Sequence, residues 1–105
     1  MVVDDPGVTV YLGTQGTEID HKQRTIKTWV RFNYHNVPDG RSDQAMTLNT
    51  FNCARNTVRT WTIIESYPNA AAKVTHPNDE AEKIAPSTYY ESVKDAVCYI
   101  MKAGE

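Results

Sequence analysis

No apolar run in the 105-residue sequence approaches the roughly 18 residues that a membrane span needs. Cysteine is scarce, at two residues, Cys53 and Cys98. No Cys-x-x-Cys unit exists, which argues against a zinc site and against thioredoxin-like redox chemistry. An excess of charge of one sign is missing too: the formal net charge is −2 and the sequence pI is about 5.9. Neither nucleic acid nor an anionic membrane is therefore an expected partner. There is no Gly-x-Ser-x-Gly, no glycine-rich phosphate loop, no internal repeat and no low-complexity tract. The start, Met1 to Pro6, is too short and too acidic to be a signal peptide.

The polar residues that could carry chemistry have simpler explanations. His21, His35 and His76 fall in three separate predicted loops, without the i, i+4 spacing of a helical zinc pair, and read as solvated. Serines 42, 66, 87 and 92 have no evident base partner, and Ser87 and Thr88 suit helix capping. Asp4, Asp5, Asp79, Glu80 and Glu82 lie in loops, whereas paired acids for glycoside hydrolysis sit on rigid elements. The expectation is no catalytic residue, no metal and no cofactor.

What is present is an ordinary globular composition, 40% hydrophobic, on a chain long enough for one modest core. Residues 1–7 read as a flexible lead-in and 8–103 as a single α+β domain. Val8 to Leu12 alternates as a first strand, and Thr17 to Asp20 is a short strand or an irregular segment. His21 to Arg24 forms a hairpin tip. Thr25 to Tyr34 is the best strand, with Ile26, Thr28, Val30, Phe32 and Tyr34 on the core face and Lys27, Trp29, Arg31 and Asn33 opposite.

A loop follows from His35 to Asp43. Met46 to Cys53 is strand-like with mixed faces that a bulge would reconcile. Val58 to Tyr67 continues the sheet, with Trp61, Ile63 and Tyr67 on one side and Val58, Thr60, Thr62 and Ile64 on the other. Ala70 to Val74 is a short strand or one helical turn. The last segment is a helix: Val93, Ala96, Val97, Ile100 and Met101 form one apolar stripe, Thr88 with Glu91 reads as a capping box, and Gly104 marks the stop. The predicted class is α+β, an antiparallel meander of about five to six strands finished by one C-terminal helix on a sheet face.

Two cysteines fit either two buried thiols in a cytosolic protein or one bridge in an exported one. Cys53 sits in a strand-like stretch and Cys98 on the helix, so a bridge would clamp helix to sheet. Trp61 and Tyr90 read as packing. The Trp29–Arg31 face fits equally a contact surface and basic stems laid over an aromatic.

Trp29-Val30-Arg31-Phe32-Asn33-Tyr34, then Phe51-Asn52-Cys53 with Arg55 behind it, then the Pro86-Ser87 corner and Ala96-Val97-Cys98, resemble the surface-adhesin protein E family of small exported proteins of Gram-negative bacteria. The resemblance runs from about Val8 to Cys98. It implies a six-stranded antiparallel sheet covered by a C-terminal helix and tied by a Cys53–Cys98 disulfide. It further implies a non-enzymatic binding domain in the periplasm or on the outer membrane or cell surface. If the cysteines are paired, an export signal removed ahead of Met1 is expected, and a lost lipid anchor is the one membrane link left open. The family's named member binds matrix and serum proteins and self-associates, so a protein partner and a homodimer are expected. Where the adhesin carries a dense basic run after the strand cysteine, this chain has only Arg55 and Arg59. The candidate contact residues are Lys27, Trp29, Arg31, Arg55 and Arg59. The alternatives are an accessory envelope protein without a host ligand and a small-ligand sensor.

Overall fold

The computed structural model describes residues 3–13, 16–38, 40–77, 80–86 and 88–103. Its spine is β4 (Thr25–Tyr34), where alternation over ten residues becomes burial at every second position: Ile26, Thr28, Val30 and Phe32. Around it lie β1 (Val3–Asp5), β2 (Val8–Leu12), β3 (Glu18–Asp20), β5 (Gln44–Asn52), β6 (Thr57–Tyr67), β7 (Ala70–Thr75) and β8 (Glu82–Lys83), followed by a helix, α1 (Tyr89–Ala103). The sheet is antiparallel, ordered β1-β2-β4-β5-β6-β7, with β3 added to β4 and β8 added to β6.

Tight turns fix this order. Arg24 closes the β3–β4 hairpin at φ 59°, and the Asp20 carboxylate accepts the Gln23 backbone N–H at 3.0 Å. Asn56 closes the β5–β6 hairpin at φ 56°, while the Asn52 side-chain oxygen accepts the N–H groups of Ala54 and Arg55. Asparagine tolerates this left-handed region better than most residues, because its short polar side chain bonds locally.

The helix stands on one face of the sheet. Val93, Val97 and Met101 are buried with Val8, Val10, Ile26, Val30, Phe32, Phe51 and Ile84. Each such side chain contributes about 1.5–3 kcal/mol of burial. The stripe is narrower than expected: Ile100 lies at its border and is 51% exposed. At the helix start, the Thr88 hydroxyl accepts the Glu91 N–H at 3.3 Å and donates to the Ala85 carbonyl at 2.8 Å. The expected roles of Ser87 in capping and Gly104 in termination lie outside the described residues, as do Asp79 of the acidic group and Met1.

Cys53 and Cys98 are disulfide-bonded, with Cα atoms 5.8 Å apart. The bridge joins the chain just past the end of β5 to the middle of α1, so the clamp implied by the resemblance is present.

Several expectations change or are decided. Residues 3 to 5, assigned to a flexible lead-in, pair with β2, since Pro6-Gly7 turns the chain back as a hairpin. The segment from Ala70, open between a short strand and one helical turn, is a strand, because β6 offers it a free edge. The bulge anticipated in β5 lies in β6 instead: Leu48 pairs with Thr62 and Asn49 with Thr60, leaving Trp61 as the extra residue. Faces therefore switch at Trp61. Val58 and Thr60 share the helix side with Ile63, while Thr62 and Ile64 join Met46 and Leu48 on the opposite side. Strand β5 itself alternates without interruption, because polar Thr47 and Asn49 fill core positions. Asn49 donates to the Thr47 hydroxyl at 2.7 Å and accepts from Thr60 at 2.8 Å, which satisfies groups that burial would otherwise penalise.

Candidate functional site

The sheet has a second face, remote from the helix, and three rows of cross-strand neighbours cover its centre. Tyr11, Arg31, Met46 and Ile64 follow one another across β2, β4, β5 and β6. Trp29, Leu48 and Thr62 form the next row. Lys27, Thr50 and Arg59 form the third, with Glu18 of β3 opposite Lys27.

Aromatic rings hold the cations of this face. The Arg31 guanidinium lies 4.4 Å from the centroid of Tyr11. Arg59 lies 3.7 Å and Lys27 4.9 Å from the Trp61 ring. Trp61 is itself anchored, its indole N–H donating to the Thr50 hydroxyl at 2.8 Å. These separations are within the range where the ring quadrupole attracts a cation, worth about 0.5–1 kcal/mol at exposed sites. The Nε atoms of Arg31 and Arg59 are buried without a hydrogen-bond partner among the described residues. Their outer guanidinium nitrogens remain to meet water or a ligand.

Strands β4, β5 and β6 contribute Lys27, Arg31 and Arg59 to this face and no carboxylate. The acids Asp4, Glu18 and Asp20 sit on the short flanking strands β1 and β3; Asp4 is engaged with Thr9 at 3.2 Å and Asp20 with the Gln23 N–H at 3.0 Å. On a chain of net charge −2, the centre of the face is locally positive.

Of the sequence candidates, the fold thus brings Lys27 and Arg59 onto one ring and sets Trp29 and Arg31 beside them. Trp29 backs closely onto the main chain, since a Cβ at Gly13 would stand 3.0 Å from its own. Arg55 is apart, exposed in the β5–β6 turn, where its carbonyl accepts the Lys83 ammonium at 2.7 Å. Sequence reasoning missed Tyr11, whose position out of phase with Val8, Val10 and Leu12 was the available signal. It assigned Trp61 to packing. The packing exists, but as a platform for two cations on the helix-free side. Tyr90 does belong to the core, edge-on to Phe32 at 6.0 Å.

The histidines do not converge: His35 bonds Thr9 at 2.7 Å and His76 bonds Thr62 at 3.3 Å. Among the described residues, no group of three or more His, Cys, Asp or Glu could hold a metal ion, and no helix is long and apolar enough to cross a membrane.

A family model described as surface-adhesin protein E matches residues 1–99. No curated protein and no solved structure matches the chain.

Proposed function

The chain belongs to the surface-adhesin protein E family, and from that premise we propose that it is an exported, non-enzymatic binding domain whose contact surface is the helix-free sheet face. The partner in this reading is a host matrix or serum protein presenting carboxylates. The observation that carries it is the Lys27–Trp61–Arg59 stack beside Trp29 and Arg31 on the central strands. Arginines stacked on rings lose less side-chain freedom when they meet a carboxylate. Aromatic and arginine side chains at the centre of a rigid patch are also the composition of interface hot spots. Arg55 adds a positive charge at the rim from the adjacent turn.

The test is capture of immobilised matrix and serum proteins by wild type and by a Trp29→Ala, Arg31→Ala double variant. Saturable, salt-sensitive capture that the double variant loses supports the reading. Equal capture by both proteins counts against this surface. A stable dimer burying Trp29, seen by analytical ultracentrifugation, would instead favour an accessory envelope role.

A further inference from the structure

The helix covers only part of its own side of the sheet. Beyond the first turn of α1, the helix-side residues Tyr34 of β4 and Glu65 and Tyr67 of β6 face an open cleft of about 770 Å³, bounded by residues 35–38 and 40–42. Tyr34 is 40% exposed and stacks on Phe32 with ring centroids 6.4 Å apart, so its ring is held as one wall. Tyr67 supplies the second ring.

Glu65 is half-buried in this cleft and has no hydrogen bond or ion pair among the described residues. Its cross-strand neighbour on β7 is Lys73, an exposed residue that makes no ion pair with it. Arg41 stands on the rim, also exposed, and is not paired with Glu65 either. Two other polar groups of the cleft are engaged elsewhere. Ser42 donates to the carbonyls of Gln44 and Ser66, and His35 bonds Thr9. A half-buried carboxylate with no ion pair among the described residues, beside two tyrosine faces, is suited to a cation. The Tyr34 phenol is held neutral, its pKa raised by burial and then by Tyr90, Glu65 and Tyr89. The ring therefore offers its face and an O–H without adding a second anion.

We propose that this cleft binds an organic cation, an alkylammonium or guanidinium group, with Glu65 as counter-charge and the rings of Tyr34 and Tyr67 as walls. The site lies on the opposite side of the sheet from the surface discussed above and does not depend on it.

The experiment is an NMR titration of the intact, disulfide-bonded chain with tetramethylammonium chloride and with N-acetyl-argininamide, against sodium chloride at matched ionic strength. The expected result is saturable shifts at Tyr34, Tyr67 and Glu65 with at least one organic cation and none with sodium. Tighter binding of N-acetyl-argininamide points to a side chain of a protein ligand. Tighter binding of tetramethylammonium points to a free onium compound. Glu65→Gln and Tyr34→Leu should each weaken binding roughly five- to tenfold, while the Trp29→Ala, Arg31→Ala variant binds as wild type. Linear shifts that match sodium, or undiminished binding by a Glu65→Gln protein with an otherwise native spectrum, overturn the proposal.

Discussion

The guanidinium of Arg59 lies 3.7 Å from the ring of Trp61, two positions along the same strand. In a regular strand this spacing puts both side chains on one face. Here the bulge makes Trp61 the last residue of that phase, and Thr62 takes the same face directly after it. The ring thereby gains room to lie between Arg59 and Lys27 and to reach Thr50.

Truncating this platform should affect folding as well as contact. Trp61→Ala removes a half-buried indole, two cation contacts and a hydrogen bond, and should destabilise the domain by about 2–3 kcal/mol. Trp61→Phe keeps an aromatic face for the cations but loses the bond to Thr50 and part of the ring area, costing about 1–2 kcal/mol. Urea denaturation of both variants checks the order. Equal losses would show that the ring face contributes nothing beyond its N–H.

The buried Asn49 offers a sharper contrast. Asn49→Leu strands the hydroxyls of Thr47 and Thr60 and should cost about 2–3 kcal/mol, most of it for unsatisfied polar groups. Adding Thr47→Val and Thr60→Val removes those groups, so the triple variant should be more stable than the single one. Denaturant midpoints decide, and a triple variant weaker still would mean that shape governs this site.

Alkaline pH should weaken the fold through Tyr34. Its phenol titrates above the ordinary tyrosine value of 10.0, chiefly because of burial, with Tyr90, Glu65 and Tyr89 adding to the rise. The folded state thus favours the neutral ring. That stability is fully present below the unfolded pKa and is lost as pH rises through the higher folded value. Urea midpoints should fall above about pH 10, and Tyr34→Phe should make the fall shallower. Tyr89 shifts in the same direction, through desolvation and Asp5.

The cross-link is the largest single contribution that can be tested. Replacing both Cys53 and Cys98 by Ser opens a span of 45 positions and should cost about 4 kcal/mol by loop-closure entropy. Domain stability is typically only about 5–15 kcal/mol, so the variant should unfold at much lower urea. Intact mass with and without reduction and thiol alkylation verifies the starting state.

Legibility in the sequence followed local regularity. Strand β4 was readable residue by residue because its alternation is unbroken and its neighbours on both sides respect it. The odd-numbered face with Lys27, Trp29 and Arg31 came with it. Strand β6 was readable as an element but not by face, since one inserted residue reverses every later assignment and nothing near Trp61 marks it. Thr47 and Asn49 hid the core face of β5, because their burial depends on partners in the same network and on Thr60. Tyr11 and Trp61 escaped the contact surface because Arg31 and Lys27 reach their rings from another strand, and only register brings them together. The two residues of β8 carry no signal apart from the strand they meet.

One more property follows from the bridge at Cys53 and Cys98. A domain anchored to a cell and gripped by a ligand is loaded in tension, and tension travels along covalent bonds. The sulfur link short-circuits everything between those two positions, which removes roughly 150 Å of contour at roughly 3.4 Å per residue from what a pull could ever reel out. Strands β6, β7 and β8 and the first half of the helix all lie inside that shortcut, so a steady tug can shake them loose but cannot stretch them.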